Sequence, residues 1–147
     1  MQISSRFTIG LHILTAIAMF QKDYKVTSDF LAGSIRTNPV VVRKILGQLK
    51  KAGLIHSSQG VAGITMAKPL EEISFYDVYS AIEPVEDGDL FRFHDDPNPD
   101  CPVGRNIHEL LDGKLREIQS AMEEKMRGYT LADLHDGLEE LLQKEEG

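Results

Sequence analysis

The 147-residue sequence predicts a mainly α protein with one small β-hairpin, and three stretches carry that expectation. Thr37 to Ile55 begins with an Asn-Pro helix start, interleaves basic and apolar positions at helical spacing, and stops at Ala52-Gly53. Leu54 to Lys68 then reads as strand, glycine turn and strand. Val103 to Met126 carries an apolar repeat at three- and four-residue intervals, the mark of a long amphipathic helix. Together they give a winged helix-turn-helix domain with a long C-terminal dimerisation helix.

In chain order, Met1 to Arg6 is a short polar arm, and Phe7 to about Lys22 is a first helix with a wide apolar face. Thr27 or Ser28 caps a second helix, whose Phe30, Leu31 and Ile35 are expected to point inward. A few residues then turn the chain into the third helix, as a helix-turn-helix requires. There Val42, Leu46 and Leu49, widened by Val41 and Ile45, form the buried stripe, leaving Arg43, Lys44, Gln48 and Lys51 for a partner. Gly60 to Gly63 makes the hairpin turn and Pro69 ends the hairpin. Ser74 with Asp77 three residues on is an acidic capping box opening a fourth helix, which Glu83-Pro84 closes.

Residues 1–83 therefore form the winged helix-turn-helix domain. Residues 84–100, with three prolines and six acids, form an acidic loop. Residues 101–147 form a helical region for dimerisation and sensing. Pro102 suits a first helical turn, and Val103, Ile107, Leu110, Leu111, Leu115, Ile118 and Met122 make a stripe longer than one small domain needs to bury. A helix from a second copy is the economical cover, so a homodimer is expected. Gly128 breaks the helix, and Thr130 caps a last one, with Leu131, Leu134, Leu138, Leu141 and Leu142 on one side and a frayed end from Lys144.

A net charge of −7 disfavours nucleic acid only if it is spread evenly, and it is not. Residues 1–70 hold nine Lys or Arg against two acids, whereas residues 71–147 hold seven against 21. A basic half meeting a polyanion fits this partition; surface charges that merely solvate the chain are the alternative. Double-stranded DNA is the expected partner. Asn38 can pair with adenine, the methyls of Val40 and Val41 can touch thymine, and Arg43 or Lys44 can take guanine or phosphate. Thr37 and Pro39 complete that helix end, Ser28 stands at the start of the preceding helix, and Gln59, Gly60 and Gly63 occupy the hairpin tip.

The single cysteine, Cys101, excludes an intrachain disulfide and suits a reducing cytoplasm. At a helix N-cap its sulfur meets the positive dipole end, and Arg105 at i+4 offers a cation, so a sensing thiol stands beside an inert capping cysteine as readings of this residue. His94, Cys101 and His108 match no tight zinc spacing, and neither metal nor cofactor is expected. No catalytic set stands out, so an enzyme is not expected. The apolar run Ile9 to Phe20 is 12 residues, short of a bilayer span, and no membrane role is expected.

Ile3 to Phe7, Asn38 to Leu46, Leu49 to Leu54, Gly60 to Gly63 with Ala67 to Pro69, and Glu72 to Val78 together resemble the Rrf-two (BadM) family of bacterial winged-helix regulators over nearly the whole chain. The resemblance implies a homodimer joined by its long helix, a palindromic operator and repression. It places the reading role on Thr37 to Lys44, the wing on Gln59 to Gly63, and phosphate contacts on Ser4, Ser5 and Arg6. Cluster-binding members carry three cysteines where this chain has one, so an iron–sulfur cluster of that type is not implied. Cys101 to Gly104 looks like the YwnA-like, single-cysteine branch, which implies an oxidant or small-molecule effector. The uncharged wing and acid-rich second half keep one alternative open, a winged helix that binds protein and no longer DNA.

Overall fold

A computed structural model describes residues 3–57, 63–83, 90–91 and 94–147. The first helix, α1 (Ser5–Phe20), starts earlier than the polar arm allowed, because the Ser4 hydroxyl accepts the Arg6 N–H and caps it. Ile13, Leu14 and Ile17 are wholly buried. At its other end, Gln21 accepts the Met66 N–H at 2.9 Å and ties the helix to the hairpin.

Thr27, not Ser28, caps α2 (Ser28–Ile35), its hydroxyl accepting the Phe30 N–H at 3.1 Å. Leu31 goes into the core as expected, whereas Phe30 stays 40 % exposed, edge-on to Phe20 at 5.4 Å. Arg36 ends α2 in the left-handed region at φ 60°, and the chain turns within three residues into α3 (Pro39–Lys51), capped by Asn38. Val42, Ile45, Leu46 and Leu49 fill the core from this helix.

The hairpin is an antiparallel pair, β1 (Ile55–Ser57) and β2 (Ile64–Met66), with Ile55 opposite Met66 and Ser57 opposite Ile64. Gly63 holds its base to the body: the Ile64 N–H donates to the Val26 carbonyl at 3.0 Å, and Gly63 itself sits at φ +68° against that strand of chain. After Pro69 a single 3-10 turn, Leu70–Glu72, leads into α4 (Phe75–Ile82). The Ser74–Asp77 capping box is present in both directions, at 3.1 and 2.9 Å.

The long helix α5 (Pro102–Arg127) follows, then α6 (Leu131–Glu146), which stays helical through the residues expected to fray. A second capping box, Thr130 with Asp133, starts α6. The helix returns to the first half of the chain: Leu131 is buried and its N–H donates to the Ile73 carbonyl, while the Phe75 N–H donates to that of Tyr129, both at 2.9 Å. Among the described residues, no helix is long and apolar enough to cross a membrane.

The junction at Gly63 is the part of this fold most sensitive to one atom. In Gly63→Ala the added Cβ would lie 2.6 Å from the Val26 carbonyl oxygen, on a backbone that L side chains rarely adopt. Unfolding in urea should show a loss of about 2 kcal/mol; an unchanged midpoint would mean that the hairpin base is not held there.

Candidate nucleic-acid interface

Helical geometry sorts α3 into two sides. At 100° per residue, Val40, Arg43, Lys44, Gly47, Lys50 and Lys51 fall within roughly a third of the circumference, and all six are exposed. The opposite side is the buried stripe of Val42, Ile45 and Leu49. Val41 packs against the core cluster instead of facing out. Gln48, expected on the free side, also turns inward, its amide donating to the Ile82 carbonyl at 3.4 Å.

Between α3 and the hairpin lies a cleft of about 400 Å³, and its polar walls are Lys25, Thr27, Ser28, Arg43, Lys50 and Ser57. Three cations thus converge on the start of α2, where the helix dipole adds partial positive charge. The ion pairs found among the described residues, such as His108–Asp112 and Arg127–Glu124, all lie in the second half of the chain. Among the described residues, no ion pair involves Lys25, Arg43 or Lys50. Gly47, with no atom outside its own helix turn within 4 Å of where a Cβ would be, leaves a bare notch between Arg43 and Lys50.

The predicted site residues are only partly brought together. Ser28 and Arg43 line the cleft, and Val40 and Lys44 stand beside it on the exposed side of α3, Val40 at 61 % exposure. Thr37 is half-buried in the turn, and Pro39 forms the first turn of α3. Asn38 spends its side-chain Oδ1 on the Val40 N–H, which donates to it at 2.8 Å, so capping is its observed work. Ser4, Ser5 and Arg6 do not line the cleft; the Ser4 N–H instead meets the Glu83 carboxylate at 2.6 Å, at the end of α4. Gly63, buried at the hairpin base, also lines the cleft, and Gln59 and Gly60 lie outside the described residues.

Lys25 and Lys50 were not anticipated. Lys50 was legible, since Arg43, Gly47 and Lys50 repeat at i, i+4 and i+7. Lys25 was not, because it joins them only once Gly63 docks the hairpin against Val26.

The stripe on α5 divides. Val103, Leu110 and Ile118 are 56 to 64 % exposed, whereas Ile107, Leu111, Leu115 and Met122 are half-buried, and no residue of the helix is fully buried. Cys101 is its exposed N-cap. Hydrogen bonding to the backbone N–H groups of Gly104 and Val103 holds its thiol below the ordinary thiol range. Arg105 does not supply the expected cation to that effect; its guanidinium donates to the Pro99 carbonyl at 3.3 Å.

A helix-turn-helix with a docked hairpin and a cation-lined second motif helix defines a winged-helix protein of the class that presents that helix to DNA. The model of the Rrf2 family, described as an iron-dependent transcriptional regulator, matches residues 3–137. YwnA of Bacillus subtilis (strain 168), an HTH-type transcriptional regulator by its description, is 40% identical over 92% of this chain and 98% of its own. A solved transcriptional regulator from Lactobacillus plantarum is 25% identical, with 98% of each chain covered and a TM-score of 0.74. CymR (YrzC), the global cysteine regulator of B. subtilis, shares the fold at 21% identity, covering 92% of this chain and 97% of that one with a TM-score of 0.68. The chain belongs to the Rrf2 family of DNA-binding transcriptional regulators, and its relatives are regulators rather than enzymes.

The family's description names iron, and this chain's donors do not form a thiolate site for it. Its one thiol is exposed at a helix cap, and among the described residues the sole cluster of three ligand types within metal reach is His135, Asp136 and Glu139 on α6. Thiolate-rich ligation does not fit these residues.

The backbone N–H groups at Cys101 have a measurable consequence. Alkylation of the native protein by iodoacetamide, followed against pH, should reach half its maximal rate at a lower pH than a free thiol does. A midpoint at or above that of free cysteine would show that these groups do not favour the thiolate.

Proposed function

We propose that this chain is a homodimeric repressor of a palindromic operator, with two copies of α3 reading successive half-sites. The observation that carries the proposal is the cleft lined by Lys25, Arg43 and Lys50, none of them in an ion pair among the described residues, beside the exposed side of α3. In this reading Lys25 and Lys50 hold phosphates, Ser28 adds a hydroxyl donor, and Val40, Arg43 and Lys44 face base edges. The exposed outward side of α5 is the dimer contact. Cys101, exposed with a favoured thiolate, is the proposed point at which an oxidant acts; Cys101→Ser should keep operator binding and lose its sensitivity to peroxide.

A second reading has one observation in its favour. The half of the chain beyond residue 70 carries 21 acids against seven basic groups. A protein-binding winged helix would use that surface and leave α3 unoccupied.

Fluorescence anisotropy with duplexes from the region upstream of the gene decides between them. Affinity should fall steeply with salt as phosphates are neutralised, and Lys25→Ala or Lys50→Ala should each lower the slope by about one per protomer without changing sequence preference. Gly47→Leu separates the site from the fold. It should stabilise α3 by up to about 1 kcal/mol while weakening binding by about tenfold, or roughly 1.4 kcal/mol, because the side chain fills the notch. No binding at low salt, or binding unaffected by these changes, would overturn the proposal.

A further inference from the structure

Helix α6 carries six acids against one lysine, and a single imidazole stands among them. His135, Asp136 and Glu139 each bring one ligand atom, a ring nitrogen and two carboxylate oxygens, to within 4.8 Å of one another. The ring is mostly covered, at 21 % exposure, whereas the two carboxylates face solvent. Positions i, i+1 and i+4 form a triangle across two successive turns of a helix. The helix that holds this triangle is 16 residues long and anchored by buried Leu131, so the three groups are kept in register.

Their spacing is that of groups arranged around an ion, not of groups bonded to one another. His135 Nε2 stands 3.7 Å from Glu139 Oε1, and Nδ1 stands 3.9 Å from Asp136 Oδ1, both beyond hydrogen-bond length. Elsewhere a like pair closes up: His108 Nδ1 and Asp112 Oδ1, one turn apart on α5, meet at 3.2 Å. Ligand atoms placed 2.0–2.2 Å from a zinc-like ion lie roughly 3.0–3.5 Å from each other. The gap to Glu139 is therefore within a small side-chain adjustment of that geometry. Among the described residues, no ion pair joins Asp136 or Glu139 to a Lys or Arg, so neither carboxylate has its charge matched in that way. One imidazole with two carboxylates suits a borderline divalent ion of the zinc, cobalt and nickel kind; magnesium and calcium take oxygen ligands instead.

We propose that His135, Asp136 and Glu139 bind such an ion on one face of its coordination shell, with water completing the face toward solvent. The ion joins adjacent turns of α6 and so braces the helix that returns to the first half of the chain. The site shares no residue with the cleft beside α3 or with Cys101.

The test uses the full chain without an affinity tag, carrying Cys101→Ser so that the thiol does not compete. Titration calorimetry with Zn²⁺ should show one ion per chain that an excess of Mg²⁺ does not displace. Glu139→Gln, Asp136→Asn and His135→Ala should each weaken binding by about tenfold or more, while His108→Ala leaves it unchanged. Zn²⁺ should also raise the thermal midpoint of the parent more than that of Glu139→Gln. If His135→Ala melts early without metal, Glu139→Gln, at an exposed position, decides the matter. No uptake of Zn²⁺, uptake that survives Glu139→Gln, or uptake lost with His108→Ala instead would overturn the proposal.

Discussion

The buried side of α1 sets the position of the elements packed on it. Ile13, Leu14 and Ile17 have no exposed surface, and α2, α3, β2, α4 and α6 all pack on this helix. Each such side chain contributes on the order of 1.5–3 kcal/mol when fully buried, so the DNA-reading unit and the returning C-terminal helix share one core. Close approach is part of the same constraint. Gly10 faces the Ile82 side chain, and any Cβ there would meet it. Leu131, near the end of the chain, is as deeply buried as Leu31.

With α1 fixed, α3 has one side committed and one free. Its apolar stripe is held inward, and five of its residues with charged or apolar side chains, with the bare Gly47 among them, are presented outward on a rigid frame. The hairpin would be a loose appendage were it not tied at two points, Gln21 to Met66 and Val26 to Ile64. That tie creates the cleft, because it brings Lys25 from the connector against Arg43 and Lys50 on α3. The cleft is therefore a product of packing as much as of helix sequence. Arg36, held at φ 60° where glycine is usual, shows how tightly the turn is drawn.

How much of this was legible in the sequence depends on how far each signal reaches. Capping is local, so Asn38, Ser74 with Asp77, and Thr130 fixed helix starts that the structure reproduces. Periodicity gave the buried stripe of α3 and the extent of α5. It failed where orientation depends on a distant neighbour. Phe30 has the spacing of a core residue but meets Phe20 at the surface, and Gln48 has the spacing of a free one but meets Ile82. Arg105 stands one turn from Cys101 as expected, yet the Pro99 carbonyl takes its guanidinium. In α5 the repeat could not show that Ile107 and Leu111 turn toward their own chain while Val103 and Leu110 do not. Of the cleft, Arg43, Ser28 and Gly63 were readable; Lys25 needed the hairpin in place.

The central claim is that DNA meets the chain at the cleft and the outward side of α3, and not at its acidic half. Titration of the isotope-labelled protein with an operator duplex, followed residue by residue in backbone amide NMR spectra, tests it most directly. Shifts should concentrate at Lys25 to Ser28, at Arg36 to Lys44, and at Gly47 to Lys51, with the amides of α6 unmoved. Shifts confined to the α6 surface, or spread evenly over both halves of the chain, would contradict the account.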